Sequence, residues 1–186
     1  MKSVLALFLT AILLLSMTAT AGASDLSGLF GGLTEILGKE ETEVYGVGET
    51  VELNGVSVTF DGVMEAAGSA DFYLPEDGNI FLVCEFTIEN KTDEDVTVST
   101  MLSFSMKCDD KLYELSLNAL ALSAFAGKTQ LDRIVEPGEK VSGVVGYEIP
   151  KEWKNFELKF TPTPFAGSSE YLVFSPYPEE PSEKDK

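Results

Sequence analysis

The sequence predicts an all-β protein, an antiparallel β-sandwich of about eight strands. Three observations point there. From Glu49 onward apolar residues recur with period two in segment after segment, the spacing of half-buried strands. Turn residues separate these segments at intervals of roughly ten residues, as in two packed antiparallel sheets. No helical pattern follows each strand, as a parallel α/β sheet would require.

The elements follow in chain order. Val51 and Leu53, then Asn54-Gly55, then Val56, Val58 and Phe60 form a hairpin signal, because Asn-Gly accepts the positive φ values of a type I′ turn. A loop over 66–79 closes with Pro75-Glu76-Asp77-Gly78. Residues 80–89 form a long strand whose inward phase is Ile80, Leu82, Cys84, Phe86 and Ile88, and 90–95 turn the chain. Val96 and Val98 mark a shorter strand. Residues 101–108 make the next, with Leu102, Phe104, Met106 and Cys108 inward, and Asp109-Asp110-Lys111 turns into a strand over 112–117. Residues 118–127 break the pattern and suit a short helix with Asn118 as N-cap and Gly127 just past its end. Strand periodicity returns over 129–135. Glu136-Pro137-Gly138-Glu139 is a tight turn, followed by Val141, Gly143, Val145, Tyr147 and Ile149 on one strand face. Phe156, Leu158 and Phe160 mark another strand and residues 171–174 the last.

The ends have a different character. Lys2, an uncharged apolar run over 4–15 and small residues ending in Ala21-Gly22-Ala23 are the order of a secretory signal peptide. Cleavage after Ala23 is expected first and after Ala21 second; the alternative is an uncleaved anchor, since 4–23 carries no charge. Residues 24–43 form a leader with Leu26, Leu29, Phe30, Leu33, Ile36 and Leu37 at helical spacing, weakened as a helix by Gly28, Gly31 and Gly32. The sandwich is expected over 44–175, and 176–186 as a disordered, proline-rich and charged tail. Export makes the protein secreted or extracellular. No cysteine follows the apolar run to accept a lipid, so it is not expected to be a lipoprotein.

The formal net charge is −18, and cleavage would remove only one positive residue. Such a chain repels nucleic acid and anionic lipid heads. The leader lacks basic residues, so no strong binding to anionic membranes is expected after cleavage. Cys84 and Cys108 share an inward phase in a compartment where disulfides persist. A bridge between them would stabilise the fold by roughly 3.5 kcal/mol; two free buried thiols are the competing reading.

The order GVGETVELNGVSVTFDGV, YLPEDGNIFLVCEFTIENKTDEDVTVS and VEPGEKVSGVVGYEIPKEWKNFELKF over residues 46–175 resembles the telokin-like domain-of-unknown-function family of bacterial exported proteins. The carrying marks are the strand ending in Glu89-Asn90 before a polar turn, and the Pro137-Gly138-Glu139 turn feeding a strand with Gly143. The resemblance implies an immunoglobulin-like sandwich related to secreted immunogenic antigens, and it brings no catalytic residues. Many members carry a lipobox cysteine at the cleavage site, from which this sequence departs.

The chain has no histidine, which removes Ser-His-Asp and Cys-His catalysis and the common zinc sites. No catalytic residue, cofactor or firm metal site is expected, and the protein is read as a non-enzyme. Asp93, Glu94 and Asp95, and Asp109 and Asp110, are weak calcium candidates, alone or together if their turns meet, although Asp is also an ordinary turn residue. Phe72, Tyr73 and Leu74 in the 66–79 loop are the candidate partner contact; their alternative role is to fold back over the open end of the core. Trp153 is expected to plug an edge. The resulting expectation is a secreted binding module for a protein or cell-envelope component, through sandwich-end loops or an exposed sheet edge. A calcium-stabilised structural domain is the alternative, and an acid-pair hydrolase a more distant one.

Overall fold

The computed structural model describes residues 42–69, 73–162 and 170–178. They fall in one compact unit, Thr42–Lys186. The expected signal peptide, leader residues 24–41, Phe72 and tail residues 179–186 lie outside the described residues.

Among the described residues eleven strands form where about eight were expected, because several segments break into short pieces. They are β1 (Val44–Tyr45), β2 (Thr50–Leu53), β3 (Val56–Ala66), β4 (Asn79–Asn90), β5 (Val96–Val98), β6 (Phe104–Cys108), β7 (Lys111–Tyr113), β8 (Arg133–Val135), β9 (Lys140–Pro150), β10 (Phe156–Phe160) and β11 (Leu172–Phe174). One sheet has the order β1-β11-β10-β6-β7, the second β2-β3-β4-β9, and β5 pairs with β8. The pairs are antiparallel except β1 with β11, which run parallel. The fold is a β-sandwich.

Local chemistry explains the turns. Asn54 and Gly55 take φ of 53° and 77°, the type I′ geometry that matches strand twist, and set Val51 opposite Val58. The β6–β7 hairpin uses Asp109 and Asp110 in the same way, at φ 44° and 67°, conformations that Asp tolerates better than most residues. Between the sheets Phe60 stacks on Phe86 at 4.9 Å, and Phe86 meets Phe104 at 5.2 Å and Phe174 at 5.4 Å from the other sheet. These aromatic side chains form the centre of the core.

Three expectations are corrected. Leu102 is exposed in a turn, not inward on a strand, because Asp132 accepts from the Thr100 backbone N–H at 2.8 Å and hydroxyl at 2.6 Å and holds that turn closed. The helix α1 (Leu117–Phe125) is capped by Ser116, not Asn118: the Ser116 side chain accepts from the Ala119 N–H at 3.3 Å. Its start is set from outside, by the Ser116 N–H donating to the Gly146 carbonyl at 2.8 Å. The first residues of the expected tail make contacts with the domain: Tyr177, though 63% exposed, stacks on Trp153 at 6.2 Å between ring centroids, and its carbonyl accepts from the Asn155 side chain at 3.2 Å.

Candidate functional site

The sheet β2-β3-β4-β9 carries a second apolar layer on its outer face. In β4 the run Phe81-Leu82-Val83-Cys84 is buried on both phases, with Ile80 half-buried before it, and Val144 of β9 is buried beside Val83. Helix α1 supplies the cover: Leu120 packs with Val83 and Val144, joined by Leu115. Gly146 lets the helix approach, since a Cβ there would stand 2.9 Å from the Cβ of Ala119. Gly143 does the same for the segment before β8, where a Cβ would meet the Thr129 carbonyl at 2.7 Å.

The 66–79 loop belongs to this outer face. Glu148 lies opposite Phe81 in the β4–β9 ladder, so both side chains point away from the sandwich core. The Glu148 carboxylate accepts from the Glu76 backbone N–H at 2.7 Å and from the Asn79 amide at 3.1 Å. At the loop's start Gly68 has φ of 82°, and the Ser69 N–H donates to the Tyr73 carbonyl at 2.8 Å. Tyr73 is half-buried and Leu74 is 60% exposed. Thus Leu74 does not cover the core's end, and the loop's anchor is the outer face of β9. Beside it Glu76, Asn79, Glu114, Leu115, Ser116 and Glu148 line an open depression of about 390 Å³.

The two acidic turns sit at opposite ends. Asp93, Glu94 and Asp95 follow Asn90, next to the β2–β3 turn, where the Lys91 N–H donates to the Gly55 carbonyl at 2.8 Å. Asp109 and Asp110 lie beside the segment after β9, with the Asp109 carboxylate accepting from the backbone N–H of Lys154 and Asn155 at 3.3 Å each. Lys107 bonds Asp110 at 2.8 Å and holds its carboxyl below the ordinary range. The turns therefore do not combine. Among the described residues no three His, Cys, Asp or Glu side chains come together as a metal site.

Asn90 explains one of the sequence marks. It is fully buried, donates to the carbonyls of Glu94 at 2.7 Å and Val135 at 2.8 Å, and accepts from the Thr92 N–H and hydroxyl. One amide thus ties the turn after β4 to the strand before β9.

The expected Cys84–Cys108 bridge is not formed; both are free, buried thiols. They occupy facing sheets, Cys84 in the middle of β4 and Cys108 at the end of β6. Facing sheets can be bridged only where two cysteines stand directly opposite, with Cα atoms within about 7 Å, and here one thiol sits mid-strand in β4 while the other closes β6 at its hairpin turn. Burial pushes the Cys84 thiol well up and the Cys108 thiol up to about 11, the latter helped by Asp109. Tyr147 is buried beside this region, its hydroxyl has no hydrogen-bond partner among the described residues, and burial raises its pKa. Trp153 plugs the end of the core: it packs on Phe156 at 5.5 Å, and its Nε1 donates to Glu65 at 2.6 Å.

The fold and this outer layer define a β-sandwich domain with a helix and a loop laid over one sheet. The family model described as Domain of unknown function (DUF4352) matches residues 45–170, and the chain belongs to that family. Among solved structures, the yjhA protein of Bacillus subtilis is 19% identical, with 70% of this chain and 98% of that one covered and a TM-score of 0.55. The ycdA protein of the same organism, described as a candidate lipoprotein, is 16% identical, with 68% of this chain covered and a TM-score of 0.53. This chain spans only 37% of ycdA's length. These likenesses concern the fold. No curated protein matches the chain. Among the described residues no helix is long and apolar enough to cross a membrane.

Proposed function

We propose that this protein is a secreted, non-enzymatic binding module that recognises a protein or cell-envelope component through the outer-face loop. The observation that carries this reading is Leu74, 60% exposed on a loop anchored at both ends, by Ser69 to Tyr73 and by Glu76 to Glu148. An apolar side chain held out beside two backbone anchors costs little entropy to bury in a partner. Export rests on the signal-peptide pattern of residues 1–23, and release without a lipid rests on the lack of cysteine after the apolar run. The absence of histidine in the sequence and the free, buried state of both thiols support a non-catalytic role.

The test is capture from the envelope fraction with the processed protein and with Leu74→Asp. The parent should retain a specific component that the variant releases, a loss of at least tenfold in affinity, while both melt alike. Equal capture by the two removes the loop from the reading. Mass spectrometry of the exported protein should find its N-terminus at Ser24 or Gly22; a retained Met1 would mean an anchor.

A further inference from the structure

Strand β3 has a neighbour on both sides only in its first half. β2 pairs with residues 56–59, and Phe60 exchanges backbone bonds with Gly48 and Glu49. The register then shifts at a bulge between Phe60 and Gly62, after which Gly62–Ala66 pairs with β4 and with no other described strand. The far side of the sheet shows which backbone groups are left open. Val144 bonds Thr129, and Gly146 bonds Ser116, so these two residues turn away from β4. Residues alternate along an antiparallel ladder, so Val145 and Tyr147 turn toward Cys84 and Leu82. Val83 and Phe81 then face Met64 and Ala66. Val63 and Glu65 consequently direct their N–H and C=O groups outward, and neither makes a described backbone bond there.

We infer that this edge, Asp61–Ala66, accepts an extended cationic peptide segment as an added strand. The inference rests on the binding-module reading and names its surface and the chemistry of its partner. Open edges gain main-chain hydrogen bonds from any extended chain, and the flanking side chains select among them. Here those side chains are acidic. Asp61 accepts from the Thr87 hydroxyl at 2.7 Å through one oxygen, and Glu65 from Trp153 at 2.6 Å through one oxygen. The second oxygen of each is open to a lysine or arginine. A second copy of this chain is disfavoured, because pairing β3 with itself sets Asp61 and Glu65 against their like. Met64, 49% exposed on the outer face, gives the incoming strand an apolar contact on the alternate phase.

The probe is an eight-residue peptide alternating lysine and valine, compared with its glutamate-for-lysine counterpart and with a lysine version N-methylated on alternate amides. Added to the processed protein, the lysine peptide should slow hydrogen exchange of the Val63 and Glu65 amides at least tenfold, and the other two should not. Val63→Pro removes an open donor and no ladder bond, so it should bind the lysine peptide at least tenfold more weakly. If that variant does not fold, the N-methylated peptide decides: equal binding by it overturns the inference, as does protection confined to other strands. Envelope capture lost in Leu74→Asp but kept in Val63→Pro sinks the edge and leaves the module. No capture by the parent sinks the module, while amide protection at Val63 still supports the edge.

Discussion

Gly146 of β9 and Ala119 of α1 meet with no room for a side chain between them, a Cβ on the glycine standing 2.9 Å from that of the alanine. Helix α1 has no charged residue and owes its place to this contact and to Leu120 against Val83 and Val144. Gly146→Val should therefore destabilise the domain by about 1–3 kcal/mol, the usual cost of overpacking. Urea denaturation measures it, and hydrogen exchange should show α1 losing protection before the core strands. An unchanged midpoint would mean that the helix docks with slack.

Asn90→Ala should cost about 3 kcal/mol, because it strips hydrogen-bond partners from groups on two segments, the turn after β4 and strand β8. Asn90→Asp should do no better, since it replaces two donated bonds by a carboxylate facing the Glu94 and Val135 carbonyls. A denaturation midpoint within the error of the parent would refute the role assigned to this amide.

Tyr147→Phe should be neutral or raise stability by about 1 kcal/mol, since the hydroxyl is buried without a partner among the described residues. For a domain of this size that is a rise of about 2–4 °C in Tm. A clear fall in Tm would reveal a partner for the hydroxyl.

Stability should decline on the alkaline side. The Cys108 thiol ionises near 9 when unfolded and about 11 when folded, so the folded state holds the proton more tightly. The stabilisation is complete below about pH 9 and is lost as pH rises toward 11, and Cys84 and Tyr147 shift in the same direction. Urea midpoints at pH 8 and 10.5 should show the fall, and replacing both cysteines by alanine should make it shallower. At pH 8 an alkylating reagent should leave both thiols unmodified in the folded protein and label both in urea without reductant. Thiols that stay unlabelled in urea until reduced would restore the bridge.

Much of the architecture is legible in the chain itself. Period-two patterning marks the inward phases of β4, β9 and β10, Asn54-Gly55 marks the β2–β3 turn and Pro137-Gly138 the turn into β9, because turn geometry and burial phase depend on near neighbours in sequence. The outer layer also left a trace, since the unbroken apolar run Ile80–Cys84 is that of a strand covered on both faces, although period two draws attention to one face only. Other features depend on which segments lie side by side. Whether Cys84 and Cys108 come within bonding reach, whether the turns at Asp93 and Asp109 share an end, whether Leu74 closes the core, and which half of β3 keeps an open edge were all decided by pairings between distant segments, such as β4 with β9 and β6 with β10. Phase is a local property that each strand carries with it, whereas adjacency is collective: it follows from the lowest free energy of all the pairings together, and only the folded molecule displays it.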